Sequence, residues 1–151
     1  MRHMERGPAP VDIPALCEKA ADMLKRCGEI TVASVSEDGY PRICVVSPLR
    51  TEGCSVVYFA TSANSEKVRQ FRKNPKAGVC YFNGDNSQTL TGTVQIVEDM
   101  RLKRKIWQDW LIRHFSGGPE DPDYCLVKFT ANAATLWYGG EFASFSIPAG
   151  E

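Results

Sequence analysis

Between Ile13 and Cys27 the apolar residues Leu16, Ala20, Met23, Leu24 and Cys27 recur at helical spacing, with Gly28 following as a stop. An amphipathic helix is predicted there. From Ile30 to Ser36 the period falls to two, with β-branched residues alternating. Glu37-Asp38-Gly39 then supplies a turn into a second apolar run, Arg42 to Pro48, which together predict a hairpin. Thr51-Glu52-Gly53 punctuates the chain before Ser55 to Thr61, whose aromatic and β-branched content favours a buried strand.

The pattern turns helical again from Ala63 to Asn74, with Val68 and Phe71 on one face and Pro75 ending the segment. Ala77 to Asn83 reads as a strand, Gly84-Asp85-Asn86 as a turn, and Gln88 to Val97 as the clearest alternation in the chain. There Leu90, Gly92, Val94 and Ile96 oppose Thr89, Thr91, Thr93 and Gln95, so one face is buried and the other meets solvent or a ligand. Met100 to Phe115 carries Leu102, Ile106, Trp107, Trp110 and Leu111 at helical spacing, with Gly117-Gly118-Pro119 as terminator. Tyr124 to Thr130 and Ala134 to Tyr138 read as two strands joined by a tight turn at Ala131-Asn132, and the stretch from Gly139 shows no usable pattern.

Six or seven short strands with three helices give a fold that is mainly β with flanking helices (α+β). Its antiparallel sheet is expected to avoid exposed edges by closing into a barrel. Residues 1–11, rich in Pro and charge, are read as a flexible leader, 12–140 as the single domain and 141–151 as a C-terminal tail.

Composition narrows the function classes. At 151 residues the chain is one domain long, and its 43% hydrophobic and 24% charged content is that of an ordinary globular protein. Eighteen basic residues balance eighteen acidic ones, so no overall field draws the molecule to nucleic acid or an anionic bilayer. The basic run Arg101, Lys103, Arg104 and Lys105 is read as a solvated helix face. No apolar run spans a membrane and Met1 to Pro10 lacks the core of a signal peptide, so a cytoplasmic location is expected. Six cysteines show no CxxC pair and only two histidines are present, so no metal site is assigned. The cysteines read as reduced thiols, with Cys44 and Cys80 as small buried hydrophobes. His114 is read as complementing a helix dipole.

The stretch from Phe59 to Pro75 carries the candidate chemistry. A strand runs out through Thr61-Ser62-Ala63-Asn64-Ser65 into a helix bearing Lys67. Unsatisfied N–H groups in a helix's first turn, the hydroxyls of Thr61, Ser62 and Ser65 and the Lys67 ammonium together suit a phosphate. The competing reading makes Ser62 or Asn64 an N-cap and Lys67 a surface cation. Arg42, opening the second hairpin strand, adds a guanidinium able to fork onto the same anion.

These segments resemble the pyridoxamine 5'-phosphate oxidase-like family of FMN-binding split barrels, in particular its general stress protein branch. The resemblance rests on Asp38-Gly39-Tyr40-Pro41-Arg42-Ile43-Cys44-Val45-Val46, on Tyr58-Phe59-Ala60-Thr61 followed by Ser65 and Lys67, and on Asn74-Pro75-Lys76-Ala77-Gly78-Val79. It implies an antiparallel six- to seven-stranded split β-barrel. It also implies that Arg42, Ile43, Cys44 and Val45 border the flavin and ribityl chain, and that Ser65 and Lys67, with Thr61 and Ser62, hold the phosphate of FMN. A homodimer with the cofactor at the subunit interface is implied too, with the Trp107/Trp110 helix or the final strands as contact surface.

The chain departs from the family pattern at two positions, with Glu66 where an arginine often precedes the lysine and Ser47 where the oxidase has a second basic residue. The tail from Gly139 lacks the Arg and His with which the vitamin-processing oxidase holds its substrate, so pyridoxine-phosphate oxidation is not expected. The implied function is an FMN-dependent oxidoreductase passing hydride or electrons from a small donor to a small acceptor, with no catalytic side chain named. The alternative is a non-catalytic flavin-, deazaflavin- or haem-binding stress or sensor module. A third reading, a barrel binding single-stranded nucleic acid, has no feature that demands it.

Overall fold

The computed structural model describes residues 12–148, so the expected leader lies outside the described residues. α1 (Ile13–Arg26) is capped by Asp12, whose carboxylate accepts from the Ala15 amide at 3.2 Å, and Lys25 and Arg26 complement its C-terminal end. It buries Leu16, Ala20, Met23 and Leu24 against the sheet, as their spacing predicts. Leu16, Met23 and Leu24 contribute about 1.5–3 kcal/mol each by this burial, and the methyl of Ala20 less.

Eight strands follow among the described residues: β1 (Ile30–Val35), β2 (Pro41–Val46), β3 (Pro48–Glu52), β4 (Val56–Ser62), β5 (Lys76–Asn83), β6 (Asn86–Val97), β7 (Tyr124–Tyr138) and β8 (Glu141–Ser146). All pair antiparallel, in the order β2-β1-β5-β6-β7-β4-β3, with β8 added beside β7. β2 and β3 are the two ends of that path, yet a single residue, Ser47, joins them in sequence. The sheet therefore curls until its edges approach each other, and the fold is a split barrel.

Four features of the strands differ from the sequence pattern. The run Arg42 to Pro48 breaks at Ser47, because the chain there crosses from one sheet edge to the other, and Thr51 and Glu52 belong to β3 instead of a turn. The turn expected at Ala131-Asn132 is a bulge within one fifteen-residue strand: Thr91 faces Ala133 and Gly92 faces Ala131, leaving Asn132 extra. Gly92 is needed at that point, since a Cβ on it would lie 2.1 Å from the Thr130 carbonyl oxygen. The patternless stretch after Gly139 forms β8, so the sheet runs past residue 140.

β4 explains its own composition. Val57 and Phe59 point into the barrel core under α1 and α2 (Glu66–Lys73), while Tyr58 points into a second cluster with Ile106, Leu111, Phe115, Tyr124 and Leu126. A strand covered on both faces carries apolar residues at consecutive positions. The second cluster also breaks the helix expected over Met100 to Phe115. α3 (Met100–Ile106) stops short, Trp107 and Gln108 are extended, and a 3₁₀ turn spans Asp109–Arg113. That break lets Trp107 meet Tyr124 edge-on at 5.2 Å and lets Gln108 donate to the Leu49 carbonyl of β3 at 2.9 Å. Of the basic run on α3, Lys103 lies over the Tyr124 ring at 4.9 Å and Arg104 pairs with Glu120 at 2.8 Å. No helix among the described residues is long and apolar enough to cross a membrane.

Candidate functional site

β4 delivers Thr61 and Ser62 to the end of the barrel, and the next residues turn tightly into α2, the Ser65 amide donating to the Ser62 carbonyl at 3.0 Å. Ser65 caps α2 by accepting from the Val68 amide at 3.3 Å. Neither Ser62 nor Asn64 is that cap. One turn into the helix, Lys67 reaches back and its Nζ donates to Thr61 Oγ1 at 2.9 Å. The ammonium keeps two further N–H donors, and Thr61, used there as an acceptor, keeps its hydroxyl proton for a ligand.

Ser62 is committed differently. Its hydroxyl donates to Asp123 Oδ1 at 2.6 Å and accepts from the Asn64 amide at 3.3 Å. Asp123 is carried by a loop fixed by Asp121, whose carboxylate accepts from the Asp123 and Gly117 amides, each at 2.9 Å. Those two N–H donors hold the Asp121 carboxyl below the usual aspartate range. The Ala63 amide donates to the Asp123 carbonyl at 2.9 Å and ties this loop to the end of β4.

Thr61, Ser62 and Lys67 share a cleft of about 470 Å³ with Val45, the one residue of the flavin-bordering quartet to line it. Further wall comes from Val46 and Ser47 at the crossing between sheet edges, and from Trp110, Leu111, His114 and Phe115 around the 3₁₀ turn, none of which the sequence reading assigned to a ligand. Two carboxylates, Glu29 and Asp123, also line it. Trp110 is steered by its indole N–H, which donates to Gln108 Oε1 at 2.7 Å. His114, read as a dipole partner, caps the 3₁₀ turn and stands in this wall. The broken helix is what brings these groups here, so a reading of unbroken helical periodicity misses them.

Arg42, Ile43, Cys44 and Ser65 do not line the cleft. Arg42 is exposed on β2, and its charge reaches Glu66 on α2. Glu66 forms an ion pair with Arg69, whose hydrogen bond and charge, helped by Arg42, hold the Glu66 carboxyl below its usual range. Cys44 is half-buried, its thiol directed at the Val32 carbonyl at 3.7 Å, and Cys80 is likewise half-buried, in place of the full burial expected of both.

Ile43 and Val45 instead open the outer face of the sheet. Strand register sets Val45 beside Thr31, then Cys80 and Thr89, and Ile43 beside Ala33, then Gly78 and Thr91. Phe82 on β5, and Trp137 and Phe142 paired between β7 and β8, continue this face. Ile43, Val45, Phe82 and Phe142 are each more than 60% exposed, so a broad uncharged surface stands in water.

Comparison with known proteins agrees with this architecture. A match to the family described as pyridoxamine 5'-phosphate oxidase like spans residues 31–147. General stress protein 26 of Bacillus subtilis (strain 168) is 27% identical over 96 residues, 60% of this chain and 68% of that protein. A Clostridium acetobutylicum protein related to general stress protein 26 shares the fold with a TM-score of 0.80, at 23% identity over 88% of this chain and 95% of its own. So do a pyridoxamine 5'-phosphate oxidase-related, FMN binding protein of Nostoc punctiforme PCC 73102 (TM-score 0.65, 13% identity, 95% and 100% covered) and a heme binding protein of Mycobacterium smegmatis (TM-score 0.70, 18% identity, 90% and 60% covered). With its matched region running from β1 to just beyond β8, the chain belongs to the pyridoxamine 5'-phosphate oxidase-like family.

Proposed function

We propose that this protein binds FMN in the Thr61–Lys67 cleft and acts as an oxidoreductase between a small donor and a small acceptor. One observation carries the reading: an ammonium with two free N–H donors and a hydroxyl with a free proton meet in a cleft that also presents the apolar and aromatic side chains of Val45, Val46, Trp110 and Phe115 beside the carboxylates of Glu29 and Asp123. That donor set fits a phosphate ester, and the cleft falls within the roughly 300–1,000 Å³ of small-molecule sites. When bound, the flavin supplies the hydride and electron chemistry.

The residues of the chain bind and orient. Lys67 and Thr61 fix the phosphate, Val45 and Val46 lie where the ligand leaves the phosphate end, and Trp110 and Phe115 offer apolar cover that excludes water. Arg42 and Ser65 support the site indirectly in this reading, Ser65 by setting the helix that carries Lys67 and Arg42 by its charge near Glu66. Ser62 serves as the strut to Asp123.

The uncharged outer face supports a homodimer with the cofactor site near the interface, because Val45 belongs to both that face and the cleft. Exposed apolar patches of this breadth are normally covered in soluble proteins. The final strands contribute Trp137 and Phe142 to it, whereas Trp110 belongs to the cleft.

A haem-binding module is the second reading, favoured by one feature: His114 presents an imidazole in the same cleft, a side chain able to ligate iron. Absorption spectra of protein titrated with FMN and with haemin, followed by chromatographic identification of the retained compound, separate the two. The first reading expects flavin bands at one equivalent and no His114-dependent Soret band. Retention of haemin abolished by His114→Ala, with no FMN bound, overturns it. Light scattering in solution expects twice the chain's mass; a monomer with and without FMN removes the dimer.

A further inference from the structure

Gln108 stands outside the cleft, yet its side chain reaches two of the segments that wall it. Its backbone carbonyl opens the 3₁₀ turn by accepting from the Leu111 amide at 2.9 Å, while its side chain takes no part in capping that turn. The side-chain amide is committed elsewhere. Its Nε2 donates to the Leu49 carbonyl on β3 at 2.9 Å, and its Oε1 accepts from the Trp110 indole N–H at 2.7 Å. A carbonyl only accepts and an indole N–H only donates, so the two partners fix which way round the amide stands.

The strand register explains why Leu49 receives this bond. Pro48 pairs with Phe59 and Arg50 with Tyr58, which leaves Leu49 as an extra residue on β3. The extra residue of a bulge has no partner in the ladder, and here its carbonyl meets Gln108. Leu49 follows closely on the crossing between sheet edges, where Val46 and Ser47 line the cleft. The Gln108 amide therefore joins one wall of the cleft, the broken helix with Trp110, to another, the Ser47 crossing. His114 meets the indole edge-on with ring centres 6.1 Å apart, so the ring is held at its N–H and at its flank.

We infer that Gln108 is a positioning residue of the flavin site: it clamps the Trp110 wall to the Ser47 crossing and so presets the indole for contact with the flat ring of the ligand. The inference rests on the flavin reading of the cleft given above. A wall ordered before the ligand arrives has less freedom to lose on binding, and the benefit falls on whichever part of the ligand meets that wall. Gln108 therefore acts on the ring end, which FMN and riboflavin share. Lys67 acts on the phosphate, which only FMN carries.

The test titrates the full chain with FMN and with riboflavin by quenching of flavin fluorescence, in the wild type, Gln108→Leu, Gln108→Glu, Trp110→Phe and the double variant Gln108→Leu/Trp110→Phe. Gln108→Leu should raise the Kd of both flavins alike, by about 3- to 10-fold, the scale of one neutral hydrogen bond. Gln108→Glu keeps an acceptor for the indole but sets a carboxylate oxygen against the Leu49 carbonyl, so it should also weaken both flavins. Trp110→Phe removes the N–H through which Gln108 acts, and the double variant should lose less than the product of the two single effects. The Trp110 indole proton, assigned by NMR from its absence in Trp110→Phe, should exchange with solvent several-fold faster in Gln108→Leu and at the wild-type rate in Gln108→Glu.

Unchanged binding of both flavins in Gln108→Leu, a weakening confined to FMN, or single effects that multiply in full would each overturn the inference. A wild type that binds neither flavin defeats the flavin reading itself, and the indole proton then decides the clamp: equal exchange in the wild type and Gln108→Leu removes it.

Discussion

Replacing Lys67 by methionine removes one charge while keeping an unbranched stem of similar reach in a half-buried position. The fold should be little affected, because the lost contact is a single hydrogen bond to Thr61 Oγ1, at the solvent-reached end of β4. The ligand should be affected strongly. A hydrogen bond to a charged group is worth about 1.5–3 kcal/mol, and the cleft's openness to water argues for the lower part of that range. A loss of about 1.5–2 kcal/mol raises the Kd for FMN roughly 10- to 30-fold. Riboflavin, which has the same ring and ribityl chain without the phosphate, should bind the wild type and Lys67→Met within about a factor of two, on the same scale. Both ligands can be titrated by the quenching of flavin fluorescence. An equal weakening for the two flavins would show that Lys67 acts on the ring or the fold, and no weakening for either would remove it from the site.

Asp123→Asn keeps an acceptor for the Ser62 hydroxyl and deletes a carboxylate from the cleft. FMN should bind a few-fold more tightly, about 0.5–1 kcal/mol, in the same titration, with riboflavin unchanged. Gly92→Ala drives a methyl into the Thr130 carbonyl at the β6–β7 bulge and should cost about 3 kcal/mol in urea unfolding, since what the methyl meets is the β7 backbone and not a side chain that could swing away. The Asp121 carboxyl, held low by two amide donors, contributes loop order that is complete above the unfolded aspartate pKa and lost as pH falls through its depressed folded value. The Gly117 amide resonance should accordingly titrate with a midpoint below that of an ordinary aspartate; a midpoint at or above it contradicts the hydrogen-bond assignment.

Elements with one covered face were legible in the sequence because burial there writes a period. α1 shows Leu16, Ala20 and Leu24 a turn apart, and β6 shows Leu90, Gly92 and Val94 against three threonines. Where tertiary contacts outweigh local preference the period misleads. Trp107, Trp110 and Leu111 keep helical spacing across a break made by the Tyr124 cluster and by Gln108 reaching Leu49. Asn132 looks like a turn because a bulge uses the same small polar residues. In β8 Ala143 and Phe145 face the barrel and Ser144 and Ser146 the outside, but Phe142, apolar on the exposed outer sheet, is out of step and leaves the alternation too short to read.

The site was half legible for the same reason. Thr61 and Lys67 lie six residues apart across one strand-to-helix turn, and local geometry brings them together. Asp123, Trp110 and His114 arrive from more than forty residues away through the fold, and nothing in their own neighbourhoods announces it.

A crystal structure of the protein grown with FMN tests the central claim most directly. The phosphate should lie within hydrogen-bond distance of Lys67 Nζ and Thr61 Oγ1, with the ring leading away past Val45. A phosphate bound at any other place on the chain, or a Thr61–Lys67 cleft left empty at saturating FMN, contradicts the account.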